Sequence, residues 1–174
     1  AWKVWDRPNQ AINMKPTYYP VEAMTPFAES LLWQINREYY QHVGIDAWTS
    51  GLVPHHLTSN AMVGKTYASL ILGLLTDLSL QGKFEERVYI VELGAGHGRL
   101  GFYILQELEI MKAQSAIELP PYCYVLTDIV QKNLDFFIEH ENFQTYFERG
   151  QLDVAYVDAM VDEDIVLVKS GVVL

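Results

Sequence analysis

The sequence predicts an α/β fold in which a Rossmann-like parallel sheet of about four strands is flanked by helices and follows an N-terminal helical cap region. Two observations carry this prediction. From residue 87 onward, short runs of β-branched and aromatic residues alternate with segments of helical periodicity. The first of these runs leads directly into a glycine-rich turn. Because alternating strands and helices form parallel sheets, we assign residues 1–86 to the extended and helical cap region and 87–174 to the sheet domain.

The cap region contains two predicted helices. Pro26–His42 begins with a proline, which suits the first helical turn, and has apolar residues at four-residue steps. Ala61–Leu78 follows Ser59 and Asn60, and either of these side chains can cap its first turn. The residues before Pro26 are rich in proline and aromatic side chains, which predicts an extended lead-in.

The sheet domain contains the predicted strands, which are short and rich in β-branched and aromatic residues. In chain order they are Val88–Glu92, Tyr122–Thr127, Leu152–Val157, Ile165–Val168 and a further short run, Val172–Leu174. Two helices, Arg99–Lys112 and Val130–Glu139, have apolar residues at helical spacing. The fourth strand would be an exposed sheet edge, so we expect self-association through it.

Composition excludes several classes of function. The 174 residues include 12 Lys and Arg against 22 Asp and Glu, which gives a net charge of -10, so direct nucleic-acid binding is not expected. A single cysteine, Cys123, cannot form an internal disulfide, and no Cys/His spacing predicts zinc. The most apolar stretch, Tyr67–Leu80, is shorter than a membrane span. With no signal-peptide pattern either, we expect a cytoplasmic protein without membrane contact.

The glycine-rich turn is the segment that carries chemistry. It reads Glu92-Leu-Gly94-Ala-Gly96-His-Gly98, between the first predicted strand and the next helix. Such a turn lets a ligand touch bare backbone at a helix N-terminus, so a nucleotide-like ligand is expected. A second spacing, Gly96, Gly98 and Gly101, fits the Gly-x-Gly-x-x-Gly fingerprint of dinucleotide-binding proteins and stays open as an alternative.

The segment from Glu92 to Gly98 resembles the first motif of class I S-adenosylmethionine-dependent methyltransferases, an acidic residue followed by Gly-x-Gly-x-Gly. The resemblance extends to Asp128 at the end of the second strand and to Asp158 and Ala159 after the third. It implies an enzyme that uses S-adenosylmethionine as its small-molecule cofactor. Asp128 follows Gly98 by 30 residues (128 − 98), a longer gap than is usual, and residues 113–121 look like the insertion that lengthens it.

The resemblance assigns roles to individual residues. Asp128 would accept both ribose hydroxyls, Glu92 would engage the ammonium end of the ligand, and Asp158 would accept from the adenine amino group while the Ala159 amide donates to the ring. The backbone of Gly94 and Gly96 would lie against the methionine part. The complete set of expected cofactor-binding residues is Glu92, Gly94, Ala95, Gly96, Gly98, Asp128, Ile129, Asp158 and Ala159.

Simpler interpretations of the acidic residues stay open beside this one. Asp128 precedes a helix and could serve as a helix cap. Asp158 lies in a stretch crowded with Asp153, Asp162, Glu163 and Asp164, any of which could be surface charge. The whole domain could also be a non-catalytic binding module, or a nicotinamide or flavin oxidoreductase in the second glycine spacing.

The remaining polar residues give weaker predictions. His55 and His56 are adjacent, so their side chains diverge and no metal site is expected. His97 would either donate to a ligand carboxylate or be an exposed loop residue. The loop Leu52–Asn60 between the two cap helices is expected to fold over the ligand, with Pro54, Thr58 and Asn60 near the methyl donor.

No residue is named as a catalytic base, and the methyl acceptor is not predicted. Methyl transfer depends mainly on positioning and needs a base only for a protonated acceptor. The family's sheet has more strands than are predicted here, so we expect a truncated fragment of a longer enzyme that is inactive alone.

Overall fold

The computed structural model describes residues 20–83 and 87–166. The chain divides into two units, Ala1–Asn36 and Arg37–Leu174. The boundary predicted between residues 86 and 87 adjoins the gap at residues 84–86, and that division stays a prediction. The second unit contains the sheet and every functional residue considered below.

The described residues form six α-helices, three β-strands and one short 3-10 helix, Phe27–Glu29. The helices are α1 Leu31–Val43, α2 Asp46–Thr49, α3 Ala61–Leu80, α4 Arg99–Gln114, α5 Gln131–Glu139 and α6 Glu141–Glu148. The strands are β1 Val88–Glu92, β2 Tyr122–Asp128 and β3 Leu152–Tyr156.

The three strands form one parallel sheet in the order β1-β2-β3. Glu92 is paired with Leu126, and Asp128 with Tyr156, so the carboxyl ends of all three strands lie at the same edge. This confirms an α/β arrangement with a parallel sheet flanked by helices. Residues at that edge are therefore brought together from distant parts of the sequence.

The described residues contribute three of the about four predicted strands. Ile165 lies in no strand and Val166 forms only an isolated β-bridge, while residues 167 and 168 are outside the described part. The preceding residues Asp162, Glu163 and Asp164 are exposed and acidic. The run Val172–Leu174 also lies outside the described residues.

Side chains on opposite faces of β2 pack into two separate clusters, as the alternation of strand residues requires. Tyr124 and Leu126 belong to the larger cluster, which the helices cover, and Cys123 and Val125 belong to a smaller cluster on the other face. The larger cluster includes Ile104, Leu105 and Leu108 of α4, Leu134 and Phe137 of α5, and Phe143 and Tyr146 of α6. The glycine-rich turn therefore rests on the better-packed face.

The helix bounds differ from the predictions at several ends. The helix predicted from Pro26 begins as the 3-10 turn, and α1 begins only at Leu31 because Ser30 is extended. The Glu22 carboxylate accepts from the Leu31 amide at 2.7 Å, a start signal too distant along the chain to recognise. The helix α6 was not predicted. It begins at Glu141 after an extended His140, whose Nδ1 accepts from the Asn142 amide at 3.2 Å.

The predicted cap of α3 is confirmed at Asn60, whose side-chain oxygen accepts from the Val63 amide at 3.0 Å. The helix extends to Leu80, two residues beyond its predicted end. It packs closely on α4, because a Cβ at Gly64 would lie 2.5 Å from the Tyr103 Cβ. Among the described residues, no helix is both long enough and apolar enough to cross a bilayer.

Candidate functional site

The glycine-rich turn connects β1, which ends at Glu92 as predicted, to α4, which begins at Arg99. Three of its residues have left-handed backbone conformations: Gly94 at φ +66°, Gly96 at +60° and Gly98 at +69°. L-residues with a side chain rarely adopt this region, so the turn requires glycine at each position. We call residues 93–98 the glycine loop.

The three glycines of this loop face different surroundings. A Cβ at Gly94 would meet nothing within 4 Å. A Cβ at Gly96 would lie 2.8 Å from the Trp48 ring, and one at Gly98 would lie 2.7 Å from the Phe137 ring. Protein side chains therefore already fill the space beside Gly96 and Gly98. Gly94 is the position of the loop at which a ligand can approach bare backbone.

Asp128 joins three elements at the carboxyl edge of the sheet. Its Oδ2 accepts from the Gly96 amide at 2.9 Å, and its Oδ1 accepts from the Val130 amide at 2.9 Å. Burial raises the pKa of the Asp128 carboxyl above its ordinary value, and these hydrogen bonds oppose that rise. The carboxylate thus ties the glycine loop to the end of β2 and the start of α5. The N-cap of α5 is Val130 and has no side-chain cap, so Asp128 bonds the amide just before the helix and is not itself the predicted cap.

Further hydrogen bonds hold the loop against β2. The Ala95 amide donates to the Thr127 carbonyl at 2.8 Å, and the Thr127 hydroxyl donates to the Glu92 carbonyl at 2.8 Å. Ala95 and Thr127 are both buried. The carboxyl ends of β1 and β2 are therefore cross-linked by polar groups that all have partners.

Glu92 points toward the interface between the sheet and α4. Its Oε2 accepts from the Tyr124 hydroxyl at 2.9 Å and would lie 2.8 Å from a Cβ at Gly101. Burial raises the pKa of the Glu92 carboxyl to about 7, although the Tyr124 hydrogen bond acts in the opposite direction. The Glu92 side chain therefore lies between Tyr124 of β2 and Gly101 of α4, below the glycine loop. Its expected contact with a ligand ammonium group stays a prediction.

Asp158, two residues after β3, is paired with Arg37 of α1. Both carboxylate oxygens contact the guanidinium, and the Arg37 Nη2 to Asp158 Oδ1 distance is 3.0 Å. The hydrogen bond from Arg37 holds the pKa of the Asp158 carboxyl below its ordinary value. The Met160 amide also donates to Asp158 Oδ1 at 3.1 Å. Sequence reasoning missed Arg37, because no spacing or motif relates α1 to the residues after β3.

The last two expected ligand residues also follow strand ends. Ile129 is half-buried after β2, and Ala159 is exposed after β3. Gly94 after β1 is also exposed, whereas Asp128 between these positions is buried. We call this surface, defined by Gly94, Asp128, Ile129 and Ala159, the strand-end edge.

The loop Leu52–Asn60 reaches the glycine loop through His55. The rings of His55 and His97 have centroids 4.6 Å apart, and the Arg99 guanidinium lies 3.0 Å from His55 Nε2. The Thr58 and Asn60 side chains instead bond to carbonyls of their own loop, His55 and His56, at 3.4 and 2.8 Å. His55 therefore lies against the glycine loop, while Thr58 and Asn60 hold the shape of their own loop. That Pro54, Thr58 and Asn60 lie near a methyl donor stays a prediction.

Two other predictions concern the chemistry of side chains. Burial raises the pKa of the Cys123 thiol to about 11, so it is not a reactive thiolate at neutral pH. Among the described residues, no group of three or more His, Cys, Asp or Glu side chains could hold a metal ion.

Comparisons of the chain with protein-family models, with curated proteins and with solved structures gave no match.

Proposed function

We propose that the chain binds S-adenosylmethionine at the strand-end edge and is the cofactor-binding part of a class I methyltransferase. The observation that carries this proposal is the hydrogen bond from the Gly96 amide to Asp128, next to the open backbone of Gly94. This hydrogen bond connects the glycine loop, whose glycines have left-handed backbones, to a carboxylate at the end of the neighbouring parallel strand. Ligands of open α/β sheets bind in this position.

The residues at the strand-end edge fit such a cofactor in two respects. Gly94 leaves room beside its backbone for the methionine part. Asp128 accepts from the Gly96 amide through Oδ2 and from the Val130 amide through Oδ1, and a vicinal diol would take the acceptor positions that remain on the two oxygens. The adenine amino group would have to share Asp158 with Arg37.

The cofactor would supply an electrophilic methyl group on a sulfonium centre. The residues of the chain would then contribute binding and orientation. The carboxylate of Asp128 would fix the ribose, the backbone at Gly94 would exclude water from one side, and the negative charge of Asp128 would favour a cationic ligand. No side chain at the strand-end edge is assigned as a general base.

The dinucleotide alternative receives mixed support. Gly101 does allow close packing of α4 on the sheet, since a Cβ there would lie 2.6 Å from Leu126 Cδ2, and this is the role of the third glycine in that fingerprint. The second glycine should leave backbone free for a pyrophosphate. At Gly98 that space is filled by Phe137, and β1 ends four residues before Gly96. The methyl-donor interpretation therefore fits the open position better.

Calorimetric titration with S-adenosylhomocysteine tests the proposal. We expect saturable binding to the full chain, and a loss of at least tenfold in affinity for Gly94→Ala, because the new Cβ occupies the ligand's space. Gly82→Ala is the matched control: Gly82 also has a left-handed backbone, φ +70°, and open space, but it follows α3. It carries the same backbone strain and should bind normally.

Three results would contradict this proposal. They are tighter binding of NAD than of S-adenosylhomocysteine, equal effects of the two glycine substitutions, or an Asp128→Asn variant that folds and binds with unchanged affinity. A folded chain that binds S-adenosylhomocysteine but methylates no acceptor would instead favour the non-catalytic module.

A further inference from the structure

A cavity of about 400 Å³ lies beside the first turn of α4, next to the glycine loop. Its lining combines the rings of Phe102, Phe136 and Phe143 with the polar side chains of His97, Arg99, His140 and Asn142. A smaller cavity of about 110 Å³ is also lined by His97, Arg99 and Phe136, and it adds His55. We call the two together the His97 cavity.

The charge of the His97 cavity is opposite to that of the chain. The protein carries 22 acidic residues and a net charge of -10, yet no Asp or Glu lines either part of the cavity. Arg99 forms no ion pair with a carboxylate among the described residues. It is also the first residue of the 16-residue helix α4, whose N-cap Gly98 provides no side-chain cap. The cationic Arg99 side chain and the dipole of α4 both favour an anion in the His97 cavity.

Three ring nitrogens at this cavity are buried without a hydrogen-bond partner in the described part of the chain. They are His55 Nδ1, His97 Nδ1 and His97 Nε2. Because Arg99 can only donate, the 3.0 Å contact to His55 Nε2 places the His55 proton on Nδ1. Burial, with the nearby His55 and Arg99, lowers the pKa of His97 to about 4. A neutral His97 offers one donor and one acceptor, and a bound ligand would satisfy groups that are otherwise costly to bury.

We propose that the His97 cavity binds a small, flat aromatic carboxylate, at a site separate from the strand-end edge. The planar Arg99 guanidinium matches a carboxylate in a two-point contact. The rings of Phe102, Phe136 and Phe143 would pack against the aromatic body of the ligand. Inorganic phosphate would satisfy the charge but leave these rings unused. The proposal does not depend on the proposed function.

The test is a two-dimensional 15N NMR titration of the full chain with 2-naphthoate. We expect saturable shifts centred on the amides of Gly98, Phe102 and Asn142, which line the cavity. 2-Naphthamide removes the charge and keeps the rings, and cyclohexanecarboxylate keeps the charge and removes the aromatic surface. Both should bind at least fivefold more weakly than 2-naphthoate, because each lacks one of the two recognised features.

Two variants and a matched control test whether Arg99 and Phe136 contact the bound 2-naphthoate. Arg99→Gln should weaken 2-naphthoate binding tenfold or more, since a hydrogen bond to a charged group is lost. Phe136→Leu keeps an apolar side chain and should weaken 2-naphthoate more than cyclohexanecarboxylate. Arg87→Gln makes the same change of charge at another cavity, of about 210 Å³, beside the start of β1, and should leave binding unchanged.

The proposal would be overturned by shifts that do not saturate, by equal binding of phosphate and 2-naphthoate, or by a larger effect of Arg87→Gln than of Arg99→Gln. Displacement of 2-naphthoate by S-adenosylhomocysteine would also overturn it, since the cavity would then be part of the cofactor site. If the Gly94→Ala variant binds 2-naphthoate as tightly as the wild type does, the two sites are separate. This result supports the proposal whether or not S-adenosylhomocysteine binds to the wild type.

Discussion

The two sides of the glycine loop differ in how completely their polar groups are satisfied. On the side of β2, the Gly96 and Ala95 amides, the Thr127 hydroxyl and the Asp128 carboxylate all have partners at 2.8 to 2.9 Å. On the side of α2 and the loop Leu52–Asn60, three buried nitrogens of His55 and His97 have none among the described residues. The backbone of the loop is therefore hydrogen-bonded on the side of β2, whereas the His97 side chain of the same loop has no partner among the described residues.

This difference indicates a division of roles. A fully bonded network fixes the backbone of the loop, so that Gly94 presents a preformed surface at the strand-end edge. Buried groups without partners are costly and rare in folded proteins, and they favour a ligand that supplies the missing bonds. Substitutions on either side of the glycine loop should therefore have different effects.

The largest effect is expected at Gly98, where the loop meets α5. Gly98→Ala places a Cβ 2.7 Å from the buried Phe137 ring and forces a left-handed alanine, which should lower the free energy of unfolding by about 4 kcal/mol. Gly82→Ala has the same backbone strain without the clash and should cost about 1 kcal/mol. Urea denaturation of both variants measures the contrast, and equal losses would contradict the packing described.

Glu92 should make the wild-type chain less stable as the pH rises. Its pKa is raised on folding, so its contribution is fully present below about pH 4.5 and is lost as the pH rises through about 7. Between pH 5 and pH 8 the loss is about 3 kcal/mol. Glu92→Gln keeps an acceptor for Tyr124 without ionising, so it should lack this slope in urea denaturation. A variant with the wild-type pH profile would show that Glu92 is not a buried acid.

His97 should produce the opposite dependence. Its pKa is lowered on folding, so its contribution is present above about pH 6.5 and is lost as the pH falls toward 4. The wild type should therefore be less stable at pH 5 than at pH 7, by an amount that solvent screening of the half-buried ring reduces. His97→Gln should remove that loss, and NMR titration of the ring protons reads the pKa directly. A His97 pKa near its ordinary value would contradict an unsatisfied, buried ring.

The smallest effect is expected at Arg37, which pairs with Asp158, the residue before Ala159 of the strand-end edge. Arg37→Gln should lower the melting temperature by about 2 °C, and the difference from wild type should shrink in 1 M salt. Arg149→Gln is the matched control, because its partner Glu109 is 35% exposed whereas Asp158 is 10% exposed. Arg149→Gln should therefore have the smaller effect in thermal melts. The reverse order would contradict the assigned pairing of Arg37.

Local patterns predicted the sheet and the loop well. Val88–Glu92 is confirmed with its bounds, because a β-branched run followed by glycine fixes both ends of a strand. The glycine turn before α4 and the cap at Asn60 follow from equally local rules, since glycine is needed for a left-handed backbone and asparagine can bond the amide three residues on.

The contacts that shape the candidate site could not be predicted in this way. Arg37 and Asp158 are 121 residues apart, and Trp48 packs on Gly96 from a short helix that has no periodic pattern. The Glu22 contact that precedes α1 spans nine residues. Each depends on how distant elements pack, which a single sequence does not contain. The unsatisfied His97 ring is likewise visible only once its neighbours are placed.

A crystal structure of the chain grown with S-adenosylhomocysteine and 2-naphthoate together would test the central claim, that the two sides of the glycine loop serve different ligands. We expect the ribose on Asp128 at the strand-end edge and the naphthoate carboxylate on Arg99 in the His97 cavity. S-adenosylhomocysteine lodged in the His97 cavity, or naphthoate at the strand-end edge, would contradict it.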